Sequence, residues 1–191
     1  MGALIGSIDI AGSIYHLRMA LSPPLDGSPN DVREALRPLR NDFTIALHAA
    51  DNPFAIGAII RVAHSYLARE IVLIGAGDYY EKASMGMEKY ESIIRVPDDD
   101  AFLAHVGERP LWAVEKDAAT ISIHAVERFP PDVVLLFGSE RLGIPRALVE
   151  RAQVTIAIPM YGINHSLPLA VAAGITMNEW ARRRYTDGTL V

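Results

Sequence analysis

Short apolar runs alternate with stretches that carry helical signals from residue 43 onward, and this alternation most constrains the fold. It predicts consecutive β and α units, in which helices cover a mostly parallel sheet. Asn52 and Pro53 suit the N-cap and the first position of the first long helix. We therefore expect the α/β class, a mostly parallel sheet flanked by helices. The predicted strands are residues 43–49, 70–74, 93–96, 111–114, 133–137 and 154–158, and the predicted helices are residues 53–67, 98–106, 145–152 and 167–185.

The first forty residues differ from the rest. Residues 21–30 contain three prolines and one glycine and are predicted to be a linker. Residues 31–37 are a short helix candidate that Pro38 should end, with Arg33 and Arg37 on one face. We expect two parts: an N-terminal extension at residues 1–40 and a main domain at residues 41–191.

Composition excludes several classes of protein. The chain has 191 residues, half of them hydrophobic, which suffices for one compact domain. It has no cysteine, so disulfide frameworks, thiolate zinc sites and cysteine nucleophiles are excluded, and the histidine spacing predicts no metal. Without a signal peptide pattern or a run long enough to span a bilayer, the expectation is a cytoplasmic protein with no membrane contact.

Charge argues mildly against a nucleic acid partner, because the formal net charge is −5. A local basic patch is nevertheless what phosphates meet. Arg33 and Arg37 near the N-terminus are the first candidates, and Arg182, Arg183 and Arg184 near the C-terminus are the second. Each group is equally compatible with a solvated helix face.

Three segments carry residues that could bind a ligand or take part in catalysis. Each adjoins a predicted strand end, where open α/β sheets bind ligands. In residues 51–61, Gly57 precedes Arg61 by one helical turn, which should leave the surface beside the guanidinium uncovered and open to a phosphate. The alternative is a solvated arginine beside a packing glycine. In residues 133–143, Gly138 and Gly143 allow a tight turn and close approach of a ligand to the backbone, unless the loop is a plain connection.

The third segment is residues 158–175. Ser166 is the predicted N-cap of the last helix, with Pro168 inside its first turn. The helix is rich in alanine and glycine until Asn178, so neighbouring backbone could approach it closely. A buried core helix is the alternative interpretation.

The order and spacing of the three segments resemble the three motifs of the SpoU/TrmH methyltransferases within the SPOUT superfamily. The resemblance covers about residues 42–183 and includes residues 83–87 between the first two motifs. The matching positions are Gly57 and Arg61 in motif one, Gly138, Glu140 and Gly143 in motif two, and residues 158–162, Ser166, Leu167 and Ala172 in motif three.

The resemblance implies a C-terminal trefoil knot, a homodimer and transfer of a methyl group from S-adenosylmethionine to a ribose 2′-hydroxyl of tRNA or rRNA. It implies catalytic roles for Arg61, Glu140 and Ser166, with the arginine supplied across the dimer interface. RNA contacts are expected from Arg33, Arg37 and Arg61. The implied cofactor-binding residues are Val114, Glu115, Phe137, Gly138, Ser139, Glu140, Gly143, Ile158, Pro159, Met160, Ser166 and Leu167.

Two positions depart from the family pattern. Ala55 and Pro168 stand where the family has asparagines, so both amides are missing. Asn52 and Asn164 are nearby substitutes, although an N-cap and a loop residue explain them equally well. A second hypothesis is therefore a knotted dimer that binds S-adenosylmethionine or RNA with little or no catalysis. A third is an unrelated nucleotide-binding α/β domain.

Overall fold

A seven-stranded parallel sheet organises residues 27–185, the part of the chain that the computed structural model describes. The strand order is β3-β2-β1-β6-β4-β7-β5, and every neighbouring pair is parallel. The strands are β1 (Phe43–His48), β2 (Glu70–Ile74), β3 (Ile93–Val96), β4 (Leu111–Val114), β5 (Ile121–Ser122), β6 (Val133–Phe137) and β7 (Val154–Ala157).

Helices cover both faces of this sheet, as the alternation predicted. The helices are α1 (Pro29–Leu36), α2 (Pro53–Ser65), α3 (Glu81–Ser84), α4 (Asp99–Val106), α5 (Arg146–Arg151) and α6 (Leu169–Arg184), with 3₁₀ turns at Arg37–Leu39, Met87–Lys89 and Ile123–Ala125. None of the helices between residues 27 and 185 has the length and apolar composition needed to cross a membrane.

Each face of the sheet has its own hydrophobic core, because successive strand side chains point to opposite sides. On β6, Val133, Leu135 and Phe137 pack with α2 and α6, whereas Val134 and Leu136 pack with α4 and α5. All five side chains are buried. Burial on both sides explains why this strand is apolar at every position.

The N-terminal helix begins earlier than predicted. Ser28 is its N-cap, and Ser28 and Asp31 form a capping box in which the Ser28 N–H donates to Asp31 Oδ2 at 3.0 Å. The helix therefore includes Pro29 and Asn30, which we had predicted to be the last residues of the linker. It ends at Leu36, and Pro38 lies in the following 3₁₀ turn. Residues 21–26 of the predicted linker lie outside the described residues.

A fully buried carboxylate anchors the end of α2. Arg40 donates to both oxygens of Glu91, at 2.6 Å and 3.1 Å. His64, in the last turn of α2, lies with Nδ1 2.7 Å from Glu91 Oε1. The Glu91 side chain is 0% exposed. This cluster joins α2, the chain before β1 and the chain before β3, so His64 is a satisfied structural histidine.

A second cluster lies at the amino ends of β2 and β4. Arg109 donates to Glu70 Oε1 at 2.7 Å, and His105 Nε2 lies 3.1 Å from the same oxygen. Burial raises the pKa of Glu70, but the hydrogen bonds and positive charges of Arg109 and His105 outweigh burial, and the net pKa lies below the ordinary value.

Candidate functional site

A cleft of about 590 Å³ opens at the carboxyl ends of three neighbouring strands, β6, β4 and β7. Parallel pairing brings these three ends to one edge, which is where open α/β sheets bind ligands. The lining comprises Val114, Glu115, Lys116, Asp117, Ala118, Phe137, Gly138, Ser139, Glu140, Arg141, Leu142, Gly143, Ile144, Arg146, Val149, Ile156, Ile158, Met160, His165, Ser166, Leu167, Leu169 and Ala172.

The loop after β6 folds back on itself without room for a side chain at Gly138. A Cβ at this position would overlap the backbone of Gly143 and Ile144. The loop is closed by the Gly143 N–H, which donates to Ser139 O at 2.9 Å, and by the Leu142 N–H, which donates to Ser139 Oγ at 3.2 Å. The loop can therefore close in this way only with glycine at position 138.

Glu115 ties the end of β4 to the same loop. Its Oε2 accepts a hydrogen bond from the Ile144 N–H at 3.4 Å. Gly143 has φ +65, and a Cβ there would lie 2.9 Å from that Glu115 oxygen. The second glycine is thus required both for its left-handed backbone and for the approach of the carboxylate.

Glu140 caps the last helix from a distance in sequence. Its Oε1 accepts a hydrogen bond from the N–H of Leu169, the first residue of α6, at 3.2 Å. Our prediction for this helix start was wrong: Ser166 is not the N-cap, and Pro168 occupies that position outside the first turn. Pro168 has no side-chain donor or acceptor, so a carboxylate from the β6 loop satisfies the free N–H instead.

The structure brings the sequence-predicted cofactor residues together, with one exception. All of them line the cleft except Pro159. Ser166 is exposed and lines the cleft, and its hydroxyl has no hydrogen-bond partner within residues 27–185. The lining residues that sequence analysis missed include Lys116, Asp117 and Ala118. All three directly follow Glu115 in the chain, so continuity of the loop after β4 was the signal that could have found them.

Arg61 stands apart from this cleft. It lies on the exposed side of α2, is not among the cleft-lining residues, and its guanidinium bonds to no residue of the described range. Gly57 does not leave an open surface beside it, contrary to our prediction. A Cβ at Gly57 would lie 2.6 Å from Tyr80 O and 2.8 Å from the Ala83 side chain. The glycine is a packing contact between α2 and α3.

The positions of the missing amides have defined surroundings. Ala55 is buried, and Asn52 is the N-cap of α2: its Oδ1 accepts from the N–H groups of Phe54 at 3.1 Å and Ala55 at 3.3 Å. Capping therefore explains Asn52. Asn164 is exposed in the loop before α6.

The predicted basic patches are partly engaged. Arg33 donates to Lys89 O at 2.8 Å, and Arg37 pairs with Glu34 at 3.1 Å with both side chains largely exposed. At the C-terminal end, Arg182 bonds to Glu179 and Arg183 donates to His124 O at 2.8 Å. Throughout the described range, no three histidine or acidic side chains gather as a metal site requires.

Comparison with known proteins gives a consistent result. The SpoU rRNA Methylase family model matches residues 42–178. YacO of Bacillus subtilis, which carries a TrmH family tRNA/rRNA methyltransferase designation, is 31% identical over 151 residues, which are 76% of this chain and 61% of YacO. A tRNA (guanosine(18)-2′-O)-methyltransferase of Thermus thermophilus is 27% identical over 82% of this chain and 83% of its own length.

Solved structures agree with these relatives. The SpoU methyltransferase AviRb of Streptomyces viridochromogenes, in complex with AdoMet, superimposes with a TM-score of 0.70 at 27% identity, over 80% of this chain and 62% of AviRb. This chain spans about three fifths of the length of the first curated relatives it matches.

Proposed function

This chain belongs to the SpoU rRNA methylase family, and we propose that it is an S-adenosylmethionine-dependent methyltransferase acting on a ribose 2′-hydroxyl of tRNA or rRNA. One observation carries the proposal: the second and third motif segments converge on a single cleft at the carboxyl edge of the sheet. The AdoMet complex of AviRb and the 2′-O designation of the Thermus relative support the cofactor and the acceptor.

The cleft fits a nucleoside cofactor. Its volume of about 590 Å³ is within the usual range for small-molecule sites, roughly 300–1,000 Å³. Its lining combines apolar residues such as Phe137 and Ile158 with the two glycines of the β6 loop, Gly138 and Gly143. These features suit an adenine ring held by backbone hydrogen bonds. The proposed contacts are Val114, Glu115, Phe137, Gly138, Ser139, Glu140, Gly143, Ile158, Met160, Ser166 and Leu167, with Pro159 adjoining them.

When bound, the cofactor would supply an electrophilic sulfonium methyl group to the ribose 2′-hydroxyl, with S-adenosylhomocysteine as the leaving group and the hydroxyl proton released to solvent. Because the donor is already activated, the main task of the cleft residues is to orient the two reactants. Glu140 holds the β6 loop against the start of α6 and so fixes the cleft wall. Ser166 lines the cleft, and its hydroxyl has no hydrogen-bond partner within residues 27–185; it would orient the nucleotide. Arg61 would position the phosphate and the 2′-oxygen as a permanent cation, since a guanidinium does not deprotonate in proteins.

A homodimer would reconcile the position of Arg61 with this role. Arg61 does not line the cleft of its own chain, so a second copy would have to bring its arginine to the cleft. The exposed Val171 side chain on α6 and the open space beside Gly174 provide a surface on which such a copy could pack. The trefoil knot, the division between residues 1–40 and residues 41–191, a cytoplasmic location and RNA contacts from Arg33 and Arg37 also remain predictions.

The alternative is a family member that binds S-adenosylmethionine or RNA with little or no transfer. Ala55 and Pro168 favour it, because neither can donate or accept a side-chain hydrogen bond where the family has an amide. Asn52 does not compensate, since its oxygen is engaged in the helix cap.

The test is transfer of tritiated methyl from S-adenosylmethionine to total RNA of the source organism lacking this gene, followed by nucleoside mass spectrometry. We expect 2′-O-methylated nucleosides. Arg61→Ala should abolish transfer and Arg61→Lys should lower it at least tenfold, because lysine keeps the charge but not the planar fork. Arg151→Ala removes an exposed arginine outside the cleft lining and is the matched control.

Calorimetry with S-adenosylhomocysteine separates the hypotheses. Cofactor binding together with transfer supports the methyltransferase, whereas cofactor binding without transfer to any RNA supports the alternative. Absence of cofactor binding contradicts the methyltransferase, and absence of both cofactor and RNA binding contradicts the alternative as well.

A further inference from the structure

The chain segment that joins two cleft-lining residues carries large apolar side chains in solvent. Met160 and His165 both line the cleft, and residues 161–164 connect them. Tyr161 is 93% exposed and Ile163 is 95% exposed. Tyr161 directly follows the cleft-lining Met160, and Ile163 precedes the cleft-lining His165 by two residues. Apolar side chains this exposed at the mouth of a cleft commonly mark a binding surface.

The β6 loop adds a positive charge to the same mouth. Arg141 and Leu142 are exposed and line the cleft. The Arg141 guanidinium has no hydrogen bond or ion pair within the described part of the chain.

Other charged groups of the lining are already engaged. Glu115 accepts from the Ile144 N–H and Glu140 accepts from the Leu169 N–H. Lys116 donates to His165 O at 2.9 Å and lies 3.7 Å from Asp117, which offsets its charge. Arg141 is therefore a cation of the cleft lining with no ion-pair partner among residues 27–185.

We propose that Tyr161 and Arg141 form a subsite for an unpaired nucleotide of the RNA substrate, the ring stacking on a base and the guanidinium binding a backbone phosphate. The inference rests on the proposed function and adds that the RNA is unpaired where it meets this subsite. A base inside a duplex has both faces covered by its neighbours, so a protein ring can stack only on an unpaired or extruded base. Stacking on an aromatic ring tolerates every base, and an adjacent cation follows the backbone. The pair therefore selects for single-stranded geometry and not for base identity.

The test measures fluorescence anisotropy of the full chain with a short mixed-sequence single-stranded RNA and with the same RNA annealed to its complement. We expect the single strand to bind more tightly. Tyr161→Ala should weaken single-strand binding about 5- to 150-fold, and Tyr161→Phe, which keeps the ring face, should remain within about twofold. Arg141→Ala should reduce the slope of log affinity against log salt by about 0.7, the value for one phosphate on a single strand.

Arg151→Ala is the matched control for charge, because it removes an exposed arginine that does not line the cleft. It should leave the salt slope unchanged. Calorimetry with S-adenosylhomocysteine should give the same affinity for wild type, Tyr161→Ala, Tyr161→Phe and Arg151→Ala, which shows that each is folded and that the cofactor cleft is intact. Arg141 lines the cleft, so circular dichroism checks the folding of Arg141→Ala instead.

Three results overturn the inference: no binding of the single strand by wild type, equal affinity of Tyr161→Ala and wild type, or a change in oligomeric state of Tyr161→Ala by light scattering. The last result would assign Tyr161 to the contact with a second copy. If wild type transfers methyl groups and both Tyr161→Ala and Arg141→Ala bind RNA as wild type does, this subsite is refuted and the proposed function stands.

Discussion

Replacement of Gly138 by alanine tests whether the β6 loop depends on a backbone contact. The added Cβ would overlap the carbonyl group of Gly143 and the amide of Ile144. Non-bonded carbons need about 3.5 Å, so the two sides of the loop would have to separate by more than about 1 Å. The obstacle is backbone on both sides, which no rotation of a side chain can relieve.

The energetic cost follows from the bonds that such a separation breaks. The Gly143 N–H to Ser139 O bond and the Leu142 N–H to Ser139 Oγ bond close the loop. Each contributes about 1 kcal/mol net, and overpacking adds about 1–3 kcal/mol. We therefore expect Gly138→Ala to lower the free energy of unfolding by about 3–5 kcal/mol and to weaken S-adenosylhomocysteine binding at least tenfold.

Two further glycine variants calibrate the experiment. Gly143→Ala should cost less, about 1–2 kcal/mol, because the strain of φ +65 is added to a contact with the movable Glu115 carboxylate. Gly77→Ala should change stability by no more than about 0.5 kcal/mol, since its nearest neighbour, Ala50 O, would lie 3.6 Å away. Urea unfolding monitored by circular dichroism and calorimetry provide the readouts. Equal stability and cofactor affinity of Gly138→Ala and Gly77→Ala would refute the reasoning.

Three carboxylates give further predictions, all measured by urea unfolding. Glu140→Ala should lower the free energy of unfolding by about 0.5–2 kcal/mol, the value of a helix cap. Glu140→Gln should retain most of the stabilisation, because the amide oxygen still accepts the hydrogen bond. An equal loss of stability in both variants would contradict the capping role. Glu91→Ala should cost about 3–5 kcal/mol, because it strands a buried guanidinium, whereas Glu150→Ala removes an exposed partner and should cost under about 1 kcal/mol. The pKa of Glu70 is lowered in the folded state, so its stabilisation is present above the unfolded pKa and is lost as the pH falls through the lower folded value. Glu70→Gln should therefore be less stable than wild type at pH 7, and the difference should disappear in acid; a gap that is independent of pH would exclude this linkage.

Local patterns predicted most of the elements because their causes lie within a turn or a strand. The run at residues 133–137 is apolar throughout and is the buried strand β6, and Asn52 caps α2 as expected. β5 was missed because two residues, Ile121 and Ser122, carry no periodicity. The short helix Glu81–Ser84 was missed for the same reason. Both are stabilised by pairing or packing with distant segments, β7 and α2, which no local window contains.

The candidate site divides in the same way. The family resemblance, which rests on local motifs, implied twelve cofactor-binding residues, and eleven of these line the cleft. Only the tertiary structure decided that β6 lies between β1 and β4, that Gly57 packs on α3, and that Glu140 caps α6. It also decided that Arg61 lies away from the cleft. Each of these depends on contacts between segments far apart in the chain. The free energy of such a contact depends on both segments, so the sequence of either one alone does not predict it.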